Sequence, residues 1–147
     1  MVSNTKMIPF HLAIQVRDIA EARDFYGAKL GLSEGRSDEH WIDFNLYGHQ
    51  LVVHLNPHLG KTGSVQNITN PVDAHSVPVP HFGVVLSLEA WQEMSARVQT
   101  FISDFIVPPH TRFKGQAGEQ STLFFTDPSG NCLEFKGFAN LESLFEK

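Results

Sequence analysis

The chain carries eight histidines and a single cysteine in 147 residues. Any metal centre it holds is therefore built from imidazole and carboxylate rather than from a set of thiolates. Strand geometry sorts the candidates. Phe10-His11-Leu12-Ala13-Ile14-Gln15-Val16 alternates bulky apolar residues with smaller or polar ones, the period of a half-buried strand. Phe10, Leu12, Ile14 and Val16 form one face, and His11, Ala13 and Gln15 the other. Pro80-His81-Phe82-Gly83-Val84-Val85-Leu86 repeats the pattern, with His81 in the place of His11. Over 131–137, Leu133 and Phe135 share one face, and Cys132, Glu134 and Lys136 share the opposite one. His11, His81 and Glu134 thus all stand on the side that lacks the bulky apolar residues. Two sheets that curl toward one another bring these three side chains together. Two imidazoles and one carboxylate form the facial triad of non-haem Fe(II) sites, which leaves positions open for substrate and oxygen. The same donors accept Mn(II), Zn(II) or Ni(II). A carboxylate inside the run Cys-Leu-Glu-Phe is costly to bury unpaired, which also argues for a partner at Glu134.

The elements that must position these residues occur twice. In the first half, Asp18 stands at an N-cap with Glu21 three residues on, a capping-box spacing. Ile19, Ala22, Phe25, Tyr26 and Leu30 then recur at helical intervals, and Gly31 supplies the stop. Strands are expected near 33–36, 41–46 and 50–55, with a turn at Tyr47-Gly48. In the second half Ser87 caps a helix whose face carries Leu88, Trp91, Met94, Val98, Phe101 and Ile102. Strands near 105–108 and 122–126 follow. Asp127-Pro128-Ser129-Gly130 has the residue order of a type I turn, and 131–137 forms the last strand. Phe138, Leu141, Leu144 and Phe145 suggest a short amphipathic tail helix.

The class is α+β, with two βαβββ modules at 8–55 and 80–138 and a tail at 139–147. The stretch 56–79 is rich in proline and glycine with little periodicity, and reads as a lid or a mobile linker.

Composition narrows the partners. With 41% hydrophobic and 18% charged residues the chain is globular. Eleven basic against sixteen acidic residues give −5, without a basic cluster, which argues against nucleic acid or an anionic membrane. No stretch approaches 18 apolar residues, and Met1–Phe10 has no apolar run suited to a signal segment. A cytoplasmic enzyme or binding protein for small molecules is the class that fits.

Several of these residues together resemble the vicinal oxygen chelate superfamily, which includes glyoxalase I, bleomycin- and fosfomycin-resistance proteins and extradiol dioxygenases. The resemblance spans about 9–138. It is carried by His11 in Phe-His-Leu-Ala-Ile-Gln-Val, by Asp18 through Tyr26, by His81 in Pro-His-Phe-Gly-Val, and most specifically by Phe125-Thr-Asp-Pro-Ser-Gly-Asn-Cys-Leu-Glu134-Phe. It implies paired βαβββ modules forming a cupped mixed sheet around a divalent metal, commonly in a homodimer. Ligands from first and last strands map onto His11, His81 and Glu134.

Four-ligand members such as glyoxalase I add a carboxylate on the last strand of the first module. Matching Gly48-His49-Gln50-Leu51-Val52 to Gly130–Glu134 places Val52 there, and valine binds no metal. The remaining two His and one Glu match the set of extradiol dioxygenases. His54, two residues on, is a fourth ligand by a register shift, an acid/base group, or a residue of the cavity rim.

Weaker candidates for substrate contact are Gln15, Arg112, Phe113, Glu119 and Phe124. Arg112 and Glu119 flank a loop expected over the cavity, where solvated charges are the alternative. Phe113 and Phe124 would wall a pocket for an aromatic substrate. His40, His49, His58, His75 and His110 fall in or beside expected loops and read as exposed; His75 reaches the cavity only if its loop folds back. Three functions follow. The leading one is an Fe(II) extradiol-type dioxygenase acting on a catechol-like substrate. The second is a Zn(II) or Ni(II) isomerase or lyase of glyoxalase type, for which no glutamate sits at the expected base position. The third is a non-catalytic drug-binding protein, a class that typically lacks the metal triad.

Overall fold

Asp18 opens the first helix as its spacing predicts, its carboxylate accepting the Glu21 N–H at 2.7 Å. The reciprocal half of the capping box is absent. The Glu21 carboxylate instead takes a two-point ion pair from Arg17 at 2.8 and 3.0 Å, a stronger interaction than one backbone N–H offers. A computed structural model describes residues 7–147; the first six residues of the Met1–Phe10 stretch lie outside it. Helix α1 is α-helical over Ile19–Ala22 and widens into a π turn over Arg23–Lys29, where Leu30 N bonds Phe25 O at 2.9 Å. Gly31, at φ 78°, ends it.

The first sheet contains β1 (His11–Val16), β2 (Glu34–Ser37), β3 (Trp41–Leu46) and β4 (His49–Leu55) in the order β1-β4-β3-β2, with β1 parallel to β4. The stretch 56–79, expected to be irregular, is partly ordered. Asn56 caps a 3-10 turn at Pro57–Leu59, and β5 (Ile68–Val72) pairs with β6 (His75–Val79) as a separate hairpin. Asp73 and Ala74 at its tip both have positive φ, the conformation that matches hairpin twist. Pro71 and Pro78 are tolerated because a two-stranded ribbon consists only of edges.

The second sheet contains β7 (His81–Phe82), β8 (Val85–Ser87), β9 (Val107–Arg112), β10 (Gln120–Thr126) and β11 (Cys132–Phe138), ordered β7-β11-β10-β9 with β8 also on β11. Helix α2 (Leu88–Val98) connects β8 to β9, and Ser87 Oγ caps it by accepting Ala90 N–H at 3.2 Å. The single strand expected over 80–86 is interrupted between β7 and β8, although its pairing with β11 keeps one register throughout: His81 opposes Cys132 and Val85 opposes Lys136. The strand expected at 105–108 starts at Val107 and runs four residues further, to Arg112. The tail forms only a 3-10 turn, Leu141–Phe145, with Phe145 exposed. Five residues are too few for a stable α-helix without packing, and Phe138 is already taken into β11.

Both modules bury the same side. Leu51 and Val53 of the first sheet and Leu123, Phe125, Leu133 and Phe135 of the second lie in one buried cluster with Phe25, Tyr26, Trp91, Met94 and Val98 from the helices. The modules therefore join through their helix-bearing faces.

A buried polar joint fixes that union at the Asp127–Gly130 turn, which forms with the expected Gly130 N to Asp127 O bond. Tyr26 Oη donates to Asp127 Oδ2 at 2.6 Å, and Ser129 N and Asn131 N both donate to Asp127 Oδ1 at 2.9 Å. Asn131 Nδ2 reaches across to Gln15 O at 2.7 Å. Burial raises the Asp127 carboxyl above its ordinary value in spite of these donors. No helix among the described residues is long and apolar enough to cross a membrane.

The joint yields an alkaline prediction. Burial raises Tyr26 well above the usual phenol value, with the Asp127 charge adding to it, and burial also raises Tyr47, the only other tyrosine. A group whose folded state holds its proton more tightly loses stability as pH climbs past its unfolded value, because the unfolded chain releases the proton first. At about pH 10.5 the native chain should therefore show less phenolate absorption than the urea-denatured chain. Urea stability should fall from about pH 10 upward, and Tyr26→Phe should flatten the fall. Coincident native and denatured titrations would contradict it.

Candidate functional site

His81 and Glu134 meet on the outer face of the second sheet. His81 Nδ1 lies 2.7 Å from Pro78 O, so Nδ1 carries the proton and, in the neutral ring, Nε2 presents a bare lone pair. That Nε2 points at Glu134 Oε1 at 3.6 Å, too long for a hydrogen bond. Glu134 Oε2 accepts from Thr122 Oγ1 at 2.6 Å, which orients the carboxylate. An imidazole lone pair and a carboxylate oxygen facing each other, each held from behind by a second partner, is the donor arrangement of a cation site.

Close approach of β7 to β11 makes the pair possible. A Cβ on Gly83 would fall 1.5 Å from Glu134 O, so only glycine fits there.

The pair opens into a cavity of about 540 Å³, within the range of small-molecule sites. Val77, Val107 and Phe124 form its apolar wall, and Cys132 packs against them from outside the cavity. Phe124 meets the His81 ring edge-on at 5.0 Å between centroids. Cys132 is buried on the cavity side of β11, as strand parity predicts; burial, helped by the charges of Glu134 and Asp127, pushes its thiol up to about 12. A larger hollow of about 850 Å³ lies between Leu30–Ser33 and α2, but it contains no imidazole and one carboxylate, Glu93.

The remaining candidates are placed as follows. His11 is exposed on the outer face of the first sheet, its Nδ1 2.7 Å from Gln50 Oε1, and does not join His81 and Glu134. Among the described residues no group of three His, Cys, Asp or Glu side chains is gathered for a metal. The modules dock through their helix-bearing faces, and of the outer face of β1 only Ala13 and Gln15 come beside His81 and Cys132, in a separate hollow that His11 does not line. Gln15 shares the face of His11 and accepts Asn56 Nδ2 at 2.7 Å. His54 lies opposite Gln15 and Trp41 in the same sheet, exposed, and Val52 is buried between Ala13 and Asp43.

Of the substrate candidates, Arg112 and Phe124 line the cavity. Phe113 is half exposed and lies under the Arg112 guanidinium at 5.1 Å. Glu119 accepts Gly115 N–H at 2.7 Å and so closes its own loop. Thr122, which the sequence does not single out, also lines the cavity, as do Lys136, on the face of Glu134, and His75 and His110, expected in or beside exposed loops. His75 does fold back, because the hairpin lays it beside His110, with ring centroids 6.2 Å apart.

Comparison with known proteins agrees with this architecture. No curated protein matches the chain by sequence. Among solved structures, a glyoxalase/bleomycin resistance protein/dioxygenase from Alicyclobacillus acidocaldarius is 31% identical, with TM-score 0.71 over 94% of this chain and 96% of that one. A glyoxalase/dioxygenase from Nostoc punctiforme shares the fold at 18% identity and TM-score 0.65, covering 95% and 97%. So does a mutant of the fosfomycin resistance protein FosX from Listeria monocytogenes complexed with Mn(II) and 1S,2S-dihydroxypropylphosphonic acid, at 16% identity and TM-score 0.64 over 100% of both chains. The family model described as Glyoxalase/Bleomycin resistance protein/Dioxygenase superfamily matches residues 8–135, and with two βαβββ modules and a His–Glu pair on the open face of the second, the chain belongs to that superfamily.

Proposed function

We propose that the protein is a divalent-metal-dependent enzyme that takes a small substrate through two adjacent oxygens. The observation that carries this reading is the bare Nε2 of His81 aimed at the Glu134 carboxylate, each fixed by its own second partner. Two protein donors are a weak holdfast for a divalent ion. The third is His11 of a second copy of the chain, since the face that carries His11, Gln15 and His54 is left open by its own module. A two-fold dimer lays that face of each copy over the cavity of the other, so that both sites are completed at once. A divalent ion held by these residues would supply Lewis acidity to a substrate that offers two adjacent oxygens.

Two imidazoles and one carboxylate, with Val52 at the fourth place, favour Fe(II) and extradiol-type cleavage of a catechol-like substrate. Phe124, Val77 and Val107 offer a flat apolar wall for a ring. His54 of the second copy supplies an imidazole base on the same open face as His11. Metal analysis after anaerobic purification, with oxygen uptake on a catechol panel, tests the reading. Turnover of a hemithioacetal without oxygen uptake would overturn it. So would tight ligand binding that survives a chelator and gives no turnover.

The shared site has its own test. Chains carrying His11→Ala and chains carrying Glu134→Gln are each expected to be inactive. Co-expressed, half the dimers are mixed and each mixed dimer has one intact site, so about a quarter of the parent activity returns. A site built within one chain would recover none.

A further inference from the structure

Beyond the His81–Glu134 pair the cavity changes character. Lys136 on β11 stands opposite Thr122, and Thr122 stands opposite His110 on β9, so the three form one row across the sheet. Arg112 lies one side-chain repeat further along β9, on the same face. His75 descends from the hairpin onto His110. Two of the chain's eleven Lys and Arg residues and three of its eight histidines thus line one cavity in a chain of net charge −5. The opposing carboxylates are Glu134, which faces the metal position, and Asp73.

Asp73 shows what this end accepts. From the hairpin tip its carboxylate forms an ion pair with the Arg112 guanidinium, whose other side rests on the Phe113 ring. The guanidinium is thereby held in place, and it already binds one carboxylate from outside its own sheet.

We infer that the cavity recognises a substrate bearing an anionic group, carboxylate or phosphonate, received by Arg112 and Lys136 with His75 and His110 as further donors. The inference rests on the metal reading only for where the other end of the substrate lies. Asp73 is the internal competitor that the incoming anion displaces from Arg112. A guanidinium offers paired N–H donors to either oxyanion, and an ammonium adds a point charge. A neutral catechol would leave Lys136 without a counter-charge once Glu134 is engaged, and Arg112 still paired with Asp73.

Calorimetric titration of the purified full-length protein with phenylphosphonate, benzoate and benzyl alcohol tests this. Both anions, or one of them, should bind at least about tenfold more tightly than the alcohol, and the stronger arm identifies the oxyanion. Arg112→Gln and Lys136→Gln should each weaken anion binding about tenfold. Asp73→Asn should strengthen it severalfold, because it removes the competitor while asparagine keeps the positive φ of the turn.

The opposite signs at Arg112 and Asp73 separate recognition from general damage to the fold. Equal binding of the three ligands would overturn the inference, as would anion binding weakened by Asp73→Asn. Anion binding that survives Arg112→Gln but is lost on chelation would be ligation of the ion; it would overturn the inference and leave the metal reading standing. Anion binding that depends on Arg112 in a protein without metal would do the reverse.

Discussion

Glu134→Gln is expected to lower divalent-metal affinity more than a hundredfold while leaving the melting temperature within about 4 °C of the parent. Loss of a residue that merely orients a ligand costs about 10–100-fold, and loss of the charged ligand itself costs more. The small thermal effect follows from what Glu134 does in the fold. Its one short hydrogen bond comes from Thr122 Oγ1 at 2.6 Å, and a glutamine carbonyl accepts that bond equally well. Lys136 Nζ, 3.9 Å away, loses only a weak, partly solvated ion pair. Metal content after dialysis, read beside a thermal melt, checks both halves of the prediction. Unchanged metal occupancy would remove Glu134 from the ligand set. His81→Ala is the less clean variant, because it also strips the donor from Pro78 O.

Gly83→Ala should be the most damaging single methyl group in the molecule for the site. The added Cβ would meet the Glu134 carbonyl oxygen at 1.5 Å, and a backbone atom cannot swing aside as a side chain can. Either β7 separates from β11 or β11 bends, and each route pulls His81 from Glu134. We expect a loss of about 3 kcal/mol or more, the upper end of overpacking effects, together with loss of bound metal. Chemical denaturation measures the first and metal analysis the second. An alanine variant with parental stability would mean that β7 and β11 do not approach as described.

Local signals carried much of the fold. Asp18 and Ser87 cap their helices, Gly31 ends one, and the Asp127–Gly130 turn closes where its residues say it should. Period-two parity placed His81, Cys132 and Glu134 on one face because these residues lie on paired strands whose register is set by apolar partners. Parity names a face but not what that face looks toward. The fate of His11 depended on how two modules dock, a matter decided by long-range contacts such as Phe25 with Phe101 and Phe125.

The hairpin escaped notice because its turn, Asp73-Ala74, lacks the glycine that usually marks one, and its prolines read as loop. His110 and Arg112 share a face at i, i+2 of a strand that proline-rich Val107–Arg112 disguised. The π turn at Arg23–Lys29 has no sequence signature.

The union of the modules through their helix-bearing sides divides the labour between the two faces of each sheet. Most cohesion resides on one face, in the cluster around Tyr26, Phe125 and Phe135, with Val52 and the smaller cluster of Phe124 and Cys132 buried on the other. The other face carries Gln15, Trp41, His54, Thr122 and Lys136, none of them fully buried, and so answers mainly to ligands. Exchanges at these five positions should be nearly neutral for folding. A lineage built on this plan can rewrite what it binds residue by residue, and the scaffold beneath persists while its chemistry changes.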